Sequence, residues 1–193
     1  MKIRSAITIS LLFLAICGKA QIRMNEPSFS DYLPLLKNKG YIAYSFNTKK
    51  LKGMDVEPVI MEYVKGEEPK SVLNFNVIMT LDKKLIIGLS PFENDSTSNY
   101  LFDFGDNRGF SGLLHLKQLD APGNPYIYET RPFELDAHAE KGKLIPLVLY
   151  GSYWYDQNAG GCRFCGDNEI KQDLSSDIVK NIPHFFVLGI KIK

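Results

Sequence analysis

The sequence predicts a single, mainly β domain: an antiparallel sandwich-like fold with a short N-terminal helix and one helix near residues 168–181. Three observations carry this. Short runs of alternating apolar and polar residues recur along the chain, as strands half-buried in a sheet require. The 12 Phe and 10 Tyr favour pleated, half-buried surfaces. Few helical segments separate the runs, which argues for antiparallel pairing over a doubly wound sheet. A chain of 193 residues suits one domain with a sizeable core, and no repeat or linker divides it.

Met1 to Ala20 reads as an export leader, giving expected boundaries of 1–20 for the leader and 21–193 for the domain. Lys2 and Arg4 form a basic start, and Ile7 to Ile16 is an apolar run. That run is shorter than the roughly 20 apolar residues a membrane-spanning helix needs. Gly18 and Ala20 supply small residues before a cut that leaves Gln21 first. The alternative is a lipoprotein anchored at Cys17, but the residue before a lipidated Cys is normally small and here it is Ile16. Either way the expected location is periplasmic or extracellular, at the cell envelope. Loss of Lys2, Arg4 and Lys19 turns a net charge of +1 into 20 basic against 22 acidic residues, or −2. This balance excludes a nucleic-acid footprint and a disordered polyelectrolyte. No second apolar stretch is long enough to span a membrane.

Ser30 to Gly40 has the pattern of a short helix, with Ser30 as cap and Gly40 as stop. Strands are expected over 41–48, 56–64, 72–81 and 85–89, with Leu81 to Leu85 as a hairpin turn. Pro91 to Asn99 reads as a loop. Strands follow over 100–104, 112–119, 126–135 and 143–155, separated by turns rich in Gly, Asn and Pro. Ile170, Leu174, Ile178 and Ile182 lie four apart and predict the helix over 168–181. Pro183 stops it, and 184–192 is a final apolar strand.

The sharpest local motif is Cys162-Arg163-Phe164-Cys165 inside a glycine-rich loop. Two thiols at this spacing can form a structural disulfide, work as a redox pair, or supply half of a tetrahedral metal site. A structural or regulatory disulfide is the expected state in an oxidising compartment. A metal would need ligands such as His138, Asp167 or His184, and no second CxxC exists. Leu144 to Tyr150 as a strand, the CxxC, a helix and Ile182-Pro183 before a strand together resemble thioredoxin-like proteins. That resemblance implies Cys162 as nucleophile and Cys165 as resolving thiol. It covers about 50 residues. Here the CxxC lies beyond a loop, the helix starts too late to act on Cys162, and the segment before Pro183 is too short for that fold's further strand.

Tyr150, Tyr153, Trp154 and Tyr155 form an aromatic cluster. Flat rings with polar handles stack on sugars or protein partners, so these four are the candidate ligand-binding residues. The plainer alternative buries Trp154 and leaves the tyrosines as rims. Glu134, Asp136, His138 and Glu140 alternate along one strand face. Asp136, His138 and Glu140 are weak candidates for a cation, against the commoner reading of a solvated face. Asp103, Asp106 and Asn107 lack the spacing of a calcium loop and read as a turn. His115, in an apolar run, reads as a structural histidine. No nucleophile elbow, phosphate loop, dinucleotide fingerprint or zinc-protease motif occurs.

With its leader ending at Ala20-Gln21 and its aromatic β body, the chain resembles the small exported β-rich proteins of unknown function from Gram-negative anaerobes. That resemblance is one of general style and brings no activity with it. The expected function is an exported, non-catalytic binding or assembly module for a glycan or an envelope protein, with no cofactor. The alternatives are a periplasmic thiol–disulfide protein using Cys162 and Cys165, and a hydrolase with dispersed acidic residues.

Overall fold

Alternation of apolar and polar residues builds most of the fold as expected. In the computed structural model, which describes residues 42–74, 76–90, 96–106, 108–135 and 140–193, the strands are β1 (Ile42–Asn47), β2 (Asp55–Val64), β3 (Lys70–Ser71), β4 (Met79–Thr80), β5 (Lys84–Leu89) and β6 (Thr97–Asp103). They continue as β7 (Gly109–His115), β8 (Tyr128–Pro132), β9 (Leu144–Ser152), β10 (Trp154–Asp156), β11 (Gly161–Arg163) and β12 (His184–Ile192), with one α-helix among the described residues, α1 (Asp177–Asn181), before the last. The leader, Cys17, the Ser30–Gly40 helix, Asp136 and His138 lie outside the described residues.

The strands pair antiparallel into a four-stranded sheet, β1-β5-β6-β7, and a six-stranded one. The larger sheet runs β3-β2-β12-β9-β8, with β4 also on β2; β10 and β11 form a separate ribbon. The two large sheets face each other. Leu85, Ile87, Leu89, Tyr100 and Phe102 from one share a buried core with Val56, Ile60, Tyr150, Phe186 and Leu188 from the other. Each fully buried side chain of this kind contributes about 1.5–3 kcal/mol. The Tyr44 hydroxyl, 2.7 Å from Thr130 Oγ1, adds a polar tie across the layers.

The six-stranded sheet is covered on its other side too. Phe185, Val187 and Leu149 pack there with Phe133, Phe164, Ile170, Ile178 and Ile182. This explains why β12 reads HFFVLGI: a strand buried on both faces has no polar alternation to show. Prolines fall where the ladder tolerates them. Pro146 sits opposite Gly189, where the β9–β12 register shifts in a bulge.

Several element boundaries differ from the expectation. The run 168–181 is helical only over Asp177–Asn181. Ile170 instead bridges to Phe133, accepting the Glu134 N–H at 2.8 Å and donating to Pro132 at 2.9 Å. Leu174 takes a positive φ of 61°, which breaks any helix. The four-residue apolar spacing was real, since Ile170, Ile178 and Ile182 are buried, but an irregular segment buries them. The expected 72–81 strand shrinks to β4, and Leu81 to Leu85 is not a hairpin turn: β4 pairs with β2, so this segment crosses from one sheet to the other. The 143–155 strand breaks at Tyr153, whose N–H bonds to Ile127. His115 is exposed on the edge strand β7 and is not a buried structural residue. No described helix is long and apolar enough to cross a membrane.

Candidate functional site

Cys162 and Cys165 do not form the expected disulfide; both are free and exposed. The reason is local. Cys162 lies in β11 opposite Tyr155, and the intervening Phe164 is buried in the cover of the large sheet. Phe164 stacks on Tyr153 at 5.2 Å between centroids, meets Trp154 at 6.4 Å, and carries the Arg131 guanidinium over its ring at 4.8 Å. Arg131 Nη2 also donates to the Phe164 carbonyl at 3.2 Å. A strand followed by an inward-anchored residue leaves the two thiols unbonded. The loop is pinned by an aromatic ring in place of a covalent bond.

The break at Tyr153 disperses the aromatic cluster. Tyr150 is buried between the sheets, and burial pushes its phenol up to about 12. Tyr153 turns to the opposite face, where its hydroxyl donates to Glu129 Oε2 at 3.3 Å. Trp154 and Tyr155 stay half-buried at the surface and line a common pocket. The structure therefore brings together two of the four predicted aromatics. Of the weak metal candidates, Glu140 is exposed and ion-pairs with Lys143. No cluster of metal-ligating side chains occurs among the described residues. Asp103 Oδ1 accepts the Gly105 N–H at 2.9 Å, as in a plain turn.

The pocket, about 590 Å³, opens where β2 ends, β12 begins and β9 hands over to β10. Trp154 and Tyr155 supply its apolar wall. Lys65 and Lys117 supply positive charge, and Asp120 is the sole carboxylate among its described lining residues. Gln118, Gln157 and Asn181 add amides that can both donate and accept. A hydrolase working through dispersed acidic residues needs two carboxylates in one cleft, and the described lining of this pocket brings one.

Beneath the pocket lies a polar chain that sequence reading missed. His184 is 2% exposed and lies between Glu62 and Tyr128. Its Nε2 is 3.0 Å from Glu62 Oε1, and its Nδ1 meets the Tyr128 hydroxyl. Burial lowers the pKa of the imidazole more than Glu62 raises it. The neutral ring then donates from Nε2 to the carboxylate and accepts the Tyr128 proton at Nδ1. Tyr128 in turn accepts the Lys117 N–H at 2.9 Å, with the Lys117 carbonyl 3.3 Å away. Desolvation holds this phenol far above its ordinary range. With both nitrogens occupied, the ring cannot act as a general base toward a ligand, and its geometry suits positioning. The one sequence signal was that His184 shares the face of Phe186 and Leu188 along β12; its partners Glu62 and Tyr128 lie 122 and 56 residues away.

No curated protein and no solved structure matches the chain. A family model does match, over residues 11–193, and by that match the chain belongs to the family described as Domain of unknown function (DUF5041).

Proposed function

We propose that this is an exported binding module that holds a glycan in the pocket beside Trp154 and Tyr155. The observation that carries the reading is the composition of that pocket: an aromatic wall facing amides and charges within about 590 Å³. Sugar rings present an apolar face and a polar rim, and this lining offers a partner for each. The leader-like residues 1–20 support export. Nothing in the setting of Cys162 or Cys165 favours the thiol reading over this one, because both lie outside the pocket lining.

Trp154 is the only tryptophan in the chain, so its fluorescence reports directly on the pocket. Titration with a panel of oligosaccharides is expected to shift that emission, and Tyr155→Ala is expected to weaken binding about tenfold or more. Trp154 also packs near Phe164, so Trp154→Phe is the better partner variant, since it keeps the packing while narrowing the platform. A full panel that leaves the emission unchanged, or a Tyr155→Ala variant that binds normally, overturns the reading.

A further inference from the structure

We propose that the pocket takes an acidic saccharide, whose carboxylate or sulfate group is met by Lys65 and Lys117; this rests on the glycan reading and narrows it. Two charged residues on a surface would mean little alone. Here their partners and their anchoring both point to a ligand anion.

Among the described residues, Lys65 forms no ion pair with a carboxylate. Lys117 Nζ lies 3.8 Å from Glu67 Oε1, at the outer limit of an ion pair. The other oxygen of Glu67 is held by Lys70 at 2.8 Å, and that bond is the main reason its pKa is lowered. Glu67 is therefore shared between two lysines, and it neutralises the Lys117 ammonium only in part. Asp120, the remaining acid of the lining, cannot neutralise two ammonium groups.

The anchoring is more specific. Both lysines are tied by their backbones to the start of β12. The Lys65 N–H donates to the Pro183 carbonyl at 2.9 Å. Lys117 is gripped through its N–H by the Tyr128 hydroxyl, which His184 and Glu62 hold in turn. Burying such a polar chain costs desolvation that an apolar core would avoid. The residue it fixes at the pocket is Lys117. A lysine is a compact point charge, suited to carboxylate or sulfate without the planar fork of arginine. A free inorganic anion would need the lysines alone; the Trp154 and Tyr155 wall adds a site for the ring that bears the anion.

The test is fluorescence titration of the mature chain with trigalacturonic acid, its fully methyl-esterified counterpart, and a sulfated galactan oligosaccharide. We expect at least one acidic ligand to bind about tenfold tighter than the neutral ester, with the advantage shrinking as salt is raised. The two acidic arms tell carboxylate from sulfate. Lys65→Gln with Lys117→Gln should erase the advantage of the acids over the ester, whatever it does to the ester itself; both side chains are exposed, so folding is spared. Tyr128→Phe should weaken the acidic ligand in the parent but have no further effect in the Lys117→Gln background, which marks a positioning role. If the ester binds as tightly as both acids, this inference fails and the glycan reading stands. If none of the saccharides binds, both fail.

Discussion

His184 shows how one residue can be settled by partners remote in sequence. Its ring is buried, neutral and bonded at both nitrogens, to Glu62 and Tyr128. In the folded protein its pKa lies below the ordinary 6.5, with desolvation the largest cause. The unfolded chain therefore takes up the proton first as pH falls, and stability drops below about pH 6.5, levelling off once the folded ring is itself protonated. Urea midpoints measured between about pH 5 and 7.5 should show this decline, and His184→Gln should flatten it. A midpoint that holds or rises on acidification would refute the assignment. Tyr150 and Phe164 carry the same lesson at residue scale. The sequence marked Tyr150 as a possible platform and the Cys162 loop as covalently pinned. Packing instead buries Tyr150 and pins the loop through Phe164, because a large ring gains more from the core than from solvent.

At the scale of elements, the strands that alternate were legible and those that cross between environments were not. β1, β2, β5 and β12 fall within a residue or so of their expected limits. The 168–181 segment has helical spacing but answers to a different demand: it must bridge to Phe133 and cap the outer face of the large sheet. Propensity over a few residues is weak against such tertiary terms. The β9–β12 bulge gives a sharp prediction. A Cβ at Gly189 would lie 2.2 Å from the Ile145 carbonyl oxygen, a backbone atom that cannot step aside. Gly189→Ala is expected to cost about 3 kcal/mol or to prevent folding. Gly53→Ala, which meets nothing within 4 Å but sits at a φ of 83°, should cost only about 1 kcal/mol. Thermal unfolding of both variants checks the contrast, and equal losses would contradict the bulge geometry.

For the whole molecule, three layers stand in series: the four-stranded sheet, the six-stranded sheet, and the 153–182 segment over its outer face. The pocket draws on all three: on the ends of β2 and β12, on the segment holding Trp154 and Tyr155, and on residues 117–120, which follow β7 of the four-stranded sheet, so it exists only once all have formed. The proposed export has its own check. Expression of the full chain in a Gram-negative host should yield a periplasmic product whose first residue is Gln21, read by intact mass. A product starting at a lipid-modified Cys17 would favour the anchor, and one retaining Met1 would remove the export reading. By itself the sequence determined the β class and most strand positions, because alternation and aromatic content are local properties that burial on a sheet imposes directly. The tertiary structure alone decided that Tyr150 is core, that the thiols stay unbonded, that a helix shrinks to one turn, and that Glu62, Tyr128, Lys117 and His184 converge. Convergence depends on strand order and register, which join residues far apart in the chain through long-range hydrogen bonds, and no local pattern encodes which strand will lie beside which.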